Sequence, residues 1–183
     1  MSRVFAALHI PDDAIEQIIG LRNKLYPDDK LVRWESKSKL HITLKFLGEL
    51  PPEKINDILN DLENVIKDYS ALNLAFNKFG IFRHKGKPKI VWAGLKPNDT
   101  LLSVVNDINS TLKNIGFENE KRKFHPHLTL LRIRGKEKME LINKFENYNY
   151  EEIKFVGNKI SLFESRLLSG GSEYKILKSF ELN

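Results

Sequence analysis

Two short stretches hold residues whose types and spacing could do chemistry. The chain reads His41-Ile42-Thr43-Leu44 within LHITLKFLG (40–48) and His127-Leu128-Thr129-Leu130 within FHPHLTLLR (124–132). Both are His-x-Thr-Leu, 86 positions apart. Both sit in strand-like segments, where successive side chains point to opposite faces. In each, His and Thr share a face while the aliphatic residues beside them point to a core. Imidazole, with an unperturbed pKa of about 6.5, gives or takes protons near neutral pH. Two of them can divide the work, the neutral ring as general base and the protonated ring as general acid, for roughly 100- to 10,000-fold in rate. Thr hydroxyls can donate to an oxyanion, and Arg or Lys supplies charge to phosphate. Attack on an already strained cyclic phosphodiester needs no metal, because the leaving oxygen requires only a proton. A single His-x-Thr in a strand is ordinary. Two of them, both followed by Leu and equivalently placed in a repeated layout, point to one site.

Other chemistries fit less well. The chain has no cysteine, which excludes disulfides, thiolate metal sites and Cys nucleophiles. No G-x-S-x-G elbow is present for a serine hydrolase. His125 and His127, joined by His41, could ligate a metal, but Pro126 restrains the backbone between the first two and no nearby carboxylate is an obvious partner. His125 has His127, not Thr, at its +2 position, so it reads as a local structural or rim residue. His9 receives no role, and His84 none beyond a place on the basic loop that would face RNA. Trp34 and Phe46 could stack on a base, although aromatic residues in strands are more often core.

The elements that must position these residues follow from periodicity. Strands are expected at 3–10, 31–35, 41–48, 71–82, 89–95, 127–133, 150–165 and 173–182, with the basic loop 83–88 closing a hairpin and a turn at Gly170-Gly171. Amphipathic helices are expected at 11–26, 51–69 and 98–116, and a weaker one at 136–145. Pro opens the second, polar capping candidates open the third, and Gly116 is its C′ residue. The order repeats, strand–helix–(His-x-Thr strand)–helix and then hairpin–helix–(His-x-Thr strand)–helix. We therefore expect an α+β fold with mostly antiparallel sheet, built as two similar lobes facing each other within a single domain, 1–183.

With 183 residues, 41% of them apolar and including 11 Phe, the chain can bury a substantial core. No apolar run approaches the roughly 20 residues needed to cross a bilayer. The start, MSRVFAALHIPDD, reads as a strand rather than a signal peptide, and the whole is read as cytoplasmic. The net charge of +6 is mild, but its placement is informative. RHKGKPK (83–89), KRK (121–123) and RIRGKEK (132–138) are loop-like basic clusters, and two of them flank the second His-x-Thr. They suit a rim that attracts phosphate.

The sequence resembles the 2H phosphoesterase superfamily, and within it the RNA 2′,3′-cyclic phosphodiesterases historically called 2′-5′ RNA ligases. The likeness is carried by RVFAALHIP, LHITLKFLGE, KIVWAGL, FHPHLTLLR and LFESRLLSGGSEYKIL, nearly the whole chain. It implies a bilobal fold with pseudo-twofold symmetry and a central cleft lined by both motifs. It implies hydrolysis of a terminal RNA 2′,3′-cyclic phosphate to a 2′-phosphate without metal or other cofactor, and 2′-5′ joining of tRNA halves by the same chemistry in reverse. On this chain the resemblance makes His41 and His127 the catalytic pair; we expect His41 to protonate O3′ and His127 to activate water, the opposite order staying open because hydrolysis and ligation swap the roles. It makes Thr43 and Thr129 phosphate-binding residues, with Arg132 as a further phosphate ligand. It also implies a monomer. Arg132 raises a difficulty: five residues after His127, strict alternation puts it on the opposite face, so reaching the phosphate needs a bend, a bulge or a strand end. The competing readings are the same chemistry on small cyclic nucleotides or 2′-5′ oligonucleotides, and a non-catalytic RNA-binding module.

Overall fold

In a computed structural model, residues 2–27, 30–117, 123–169 and 171–183 are described; Lys121 and Arg122 of one basic cluster and Gly170 of the expected turn lie outside them. The elements run β1 (Ser2–His9), α1 (Asp12–Leu25), β2 (His41–Leu50), α2 (Pro52–Ile66), β3 (Leu72–His84), β4 (Lys87–Leu95), α3 (Asp99–Asn114), β5 (His127–Arg132), α4 (Met139–Asn143), β6 (Ile153–Gly157), β7 (Lys159–Leu168) and β8 (Gly171–Glu181). The strands form one antiparallel sheet in the order β6-β3-β4-β5-β2-β1-β7-β8. It divides at its middle into two four-stranded halves, and the strands that meet there are β5 and β2, which carry the two His-x-Thr motifs. The expected α+β class and the paired lobes are both present.

The sheet cannot be flat. β6 and β7 are joined through the single residue Asn158, yet lie six strands apart in the sheet. A flat sheet would separate them by about 29 Å, against the roughly 7 Å that two peptide units can span. The sheet therefore curls as a half-barrel, and Gly157 packs against Leu8 of one half and Leu74 of the other. This corrects the single strand expected at 150–165. Gly157-Asn158 was the turn signal, outweighed by the continuous apolar alternation on either side.

The helices follow their stripes. α2 buries Ile58, Leu62 and Ile66 completely, and α3 buries Val104, Ile108 and Leu112 completely, with Leu101 and Val105 nearly so. Each such side chain contributes about 1.5–3 kcal/mol relative to exposure. Asn98 caps α3, its Oδ1 accepting from the Leu101 amide at 2.8 Å. Gly116 (φ +95°) closes it, with the Phe117 amide reaching back to the Leu112 carbonyl at 3.1 Å. Two expectations differ. Segment 31–35 forms only a bridge to β5, Trp34 to Leu131, with the Glu35 amide donating to the Leu130 carbonyl at 2.9 Å. The helix expected at 136–145 shortens to α4 followed by a 3-10 turn, Lys144–Asn147. No helix among the described residues is long and apolar enough to cross a membrane.

Candidate active site

β2 and β5 pair antiparallel through Ile42 and Leu128. By register, that pairing places His41 beside Thr129 and Thr43 beside His127, all on the face opposite the buried Ile42 and Leu128. The sheet thus joins its halves at the point where both motifs are displayed, and the four expected side chains converge on one cleft.

Each motif then breaks its alternation at the same step. Along β2, Ala7 pairs with Thr43 but Ala6 with Lys45, so Leu44 is an extra residue. Along β5, Trp92 pairs with Thr129 but Val91 with Leu131, so Leu130 is extra. Beyond a bulge the alternation resumes one residue out of step. Leu130 and Leu131 are accordingly both buried, and Arg132 returns to the face of His127 and Thr129. Its charge is felt by both histidines and by Tyr174, while its Nε lies 3.5 Å from a Glu35 carboxylate oxygen. The parity difficulty is resolved by the bulge.

The two imidazoles are anchored alike. His127 Nδ1 lies 2.7 Å from the His125 carbonyl. A carbonyl only accepts, so Nδ1 carries the proton, and the neutral ring keeps its lone pair on Nε2. His41 makes the corresponding hydrogen bond to the backbone of Lys39, also two residues upstream. Burial pushes His41 down to about 4, helped by the neighbouring His9, Arg132 and His127 and opposed by the Lys39 bond. Burial likewise lowers His127, opposed by the His125 carbonyl and reinforced by the charges of His125 and Arg132. Both rings are therefore held neutral in the free cleft. An arriving phosphate anion favours their protonated forms.

Aromatic side chains wall each imidazole. His41 stacks on Phe5 (5.0 Å between centroids) and Phe163 (5.6 Å) and meets Tyr174 edge-on at 5.4 Å. His127 meets Phe82 edge-on at 4.9 Å. His125 packs on Trp92 at 4.7 Å, and among the described residues no group of three or more His, Asp or Glu is arranged to hold a metal. His9 pairs with His41 across the strands and places Nε2 2.8 Å from Ser161 Oγ. Of the two candidate stackers, Trp34 packs against Tyr26 and Phe145 beneath Arg22, away from the cleft. Phe46 is 69% exposed and lies against Phe5. The sequence reading passed over Phe5, His9, Phe163 and Tyr174 as site residues. The signal for two of them was the alternation of RVFAALHI, which sets Phe5, Ala7 and His9 on one face.

Comparison with known proteins places this geometry. Residues 10–167 match the model of the 2′-5′ RNA ligase superfamily. An RNA 2′,3′-cyclic phosphodiesterase of Methanocaldococcus jannaschii is 31% identical over 97% of this chain and 99% of its own length. One of Thermotoga maritima is 27% identical over 96% and 92%. Among solved structures, Escherichia coli LigT complexed with 3′-AMP superposes with a TM-score of 0.78 at 26% identity, covering 100% of this chain and 98% of that one. The chain belongs to the 2′-5′ RNA ligase superfamily.

Proposed function

We propose that the protein is an RNA 2′,3′-cyclic phosphodiesterase that opens a terminal cyclic phosphate to a 2′-phosphate. The observation that carries this reading is the pairing of two anchored His-x-Thr motifs across β2 and β5, with Arg132 returned to their face by the bulge. Relatives named for this activity at 27–31% identity over nearly the whole chain support it.

In the proposed reaction the Thr43 and Thr129 hydroxyls and the Arg132 guanidinium hold the nonbridging phosphate oxygens. His127 Nε2 takes a proton from water, whose oxygen bonds to phosphorus. The P–O3′ bond breaks, and His41, protonated in the presence of the phosphate anion, gives its proton to O3′. The product is a 2′-phosphomonoester with a free 3′-hydroxyl. A 5′-hydroxyl in place of water yields a 2′-5′ linkage, the ligation of tRNA halves. Both motifs come from one chain, which supports action as a monomer, and the cysteine-free sequence suits the cytoplasm.

The test is product identification. Protein incubated in EDTA with RNA ending in a 2′,3′-cyclic phosphate is expected to give the 2′-phosphate. A 3′-phosphate product, or no turnover in EDTA, would sink the mechanism.

A further inference from the structure

Two basic segments noted in the sequence become one surface in the fold. Ile90 pairs with Arg132, and just beyond it the Ile133 amide donates to the Lys89 carbonyl at 2.8 Å. The tip of the β3–β4 hairpin (83–89) and the loop after β5 (133–138) therefore lie side by side at one end of the cleft. The tip is a two-residue turn with Lys85 at φ +49° and Gly86 at φ +75°, so a lysine is held in the left-handed region where Asn, Asp or Gly is usual.

The loop is organised from inside. The buried Glu137 carboxylate accepts from the amides of Arg134, Gly135 and Lys136, at 2.8–3.1 Å. The acid of RIRGKEK is thereby turned inward, and Arg134 and Lys136 face solvent. Arg83 is paired with Glu146 and Arg132 lies near Glu35. Among the described residues, Lys85, Lys87, Lys89, Arg134 and Lys136 have no acidic partner and are exposed.

The imbalance is large. Residues 83–89 hold four cations and no acid, and 132–138 hold four cations and one acid, a formal +7 against +6 for the entire chain. Everything else is net negative, and the groove between α2 and α3 is lined by Asp61, Asp68 and Asp107.

We infer that this ridge binds the phosphate backbone of the RNA on the 5′ side of the reacting end. The inference rests on the proposed phosphodiesterase reading. A terminal 2′,3′-cyclic phosphate closes the 3′ end, so the rest of the strand can leave the cleft only through its 5′ oxygen. Arg132 stands where the cleft meets the ridge, and the five free cations continue from it. The ridge selects polymer over mononucleotide and makes that preference depend on salt.

The test separates polymer binding from chemistry. Three proteins are compared: wild type, Lys85→Glu/Lys87→Glu/Lys89→Glu, and a charge-matched control, Lys54→Glu/Lys67→Glu/Lys113→Glu, on α2, at its C-cap and on α3. Each is titrated by fluorescence anisotropy with a cyclic-phosphate-ended RNA of about ten nucleotides at several KCl concentrations, and each is assayed on that RNA and on a 2′,3′-cyclic mononucleotide. At about 0.7 per phosphate contact on a single strand, the ridge variant is expected to lose about 2 from the log–log salt slope and to bind at least tenfold more weakly. Its mononucleotide turnover stays at the wild-type level, and the control keeps wild-type RNA affinity. Unchanged affinity and slope in the ridge variant overturns the inference. So does an equal loss in the control, or a parallel fall in mononucleotide turnover. If wild type opens neither substrate, the proposed activity fails, while the anisotropy still decides the ridge.

Discussion

Ile42 lies opposite Leu128 across the junction of the two half-sheets, and the site is built around that pair. Both side chains are completely buried, so the residues flanking each must face the cleft. An antiparallel pair centred there relates His41 to His127 and Thr43 to Thr129 by a local twofold. The repeated bulge extends the relation: Phe46 and Arg132, each five residues past its histidine, are mates that return to the cleft face. The twofold therefore gives matched imidazoles but unlike neighbours, an exposed aromatic ring on one side and a cation on the other.

In the proposed reaction each imidazole carries one proton transfer. His41→Ala and His127→Ala are each expected to lower kcat/KM by about 100- to 10,000-fold while leaving the circular dichroism spectrum unchanged. The double variant is expected to be little worse than the more damaged single one, because the two act as a unit. Near-wild-type turnover in either single variant refutes a two-histidine mechanism.

Burial of His41 makes stability depend on pH. Its folded pKa of about 4 lies below the ordinary 6.5. Between those values the unfolded chain binds a proton that the folded chain does not, so stability is fully present above pH 6.5 and declines as pH falls toward 4. The loss from this group is at most about 3 kcal/mol. His127 and His9, also lowered by burial, act in the same direction. Thermal unfolding from pH 7.5 down to 4.5 should show a falling Tm, with a flatter slope in His41→Asn. Identical slopes in the two proteins count against a neutral, desolvated His41.

Much of this arrangement was legible before folding. The His-x-Thr repeat, the helix caps at Asn98 and Gly116, and the equivalent places of the two motifs are all local or periodic signals, and each has its counterpart in the structure. The bulges at Leu44 and Leu130 were not legible, because a bulge depends on what the neighbouring strand offers. TLLR reads the same with or without one. The strand break at Asn158 was hidden for a related reason: both flanking segments alternate well, and only the curl of the sheet decides that they belong to opposite halves.

Packing behind His127 depends on a glycine. A Cβ at Gly80 would collide with the Trp92 ring, and Trp92 supports His125 and Phe82. Gly80→Ala is expected to cost about 1–3 kcal/mol in urea unfolding and to lower kcat by displacing the ring behind the imidazole. Gly20 in α1 meets nothing within 4 Å, so Gly20→Ala is expected to be neutral or stabilising, by up to about 1 kcal/mol. A harmless Gly80→Ala contradicts the close approach of Trp92.

Phe46 is exposed on the cleft face, where no core packing requires it. Phe46→Ala is expected to leave Tm nearly unchanged and to weaken binding of base-bearing substrates by about 1–3 kcal/mol, the range of a base–aromatic stack. Inhibition by inorganic phosphate, which has no base to stack, should be unaffected. Equal weakening toward both ligands would show that the ring acts through the phosphate site instead.

Arg132 makes the opposite prediction. Its side chain is 56% exposed, so Arg132→Ala should change stability by less than about 0.5 kcal/mol. A charge-assisted hydrogen bond contributes about 1.5–3 kcal/mol, so the same variant should bind inorganic phosphate and cyclic-phosphate substrates roughly 10- to 150-fold more weakly. Arg132→Lys keeps the charge but not the planar fork and should recover part of the loss. The bulge supplies the decisive comparison. If Leu130 did not turn Arg132 toward the cleft, the guanidinium would lie on the core side, and Arg132→Ala would alter stability while sparing phosphate affinity. Measuring Tm and inorganic phosphate inhibition on the same variant separates the two positions.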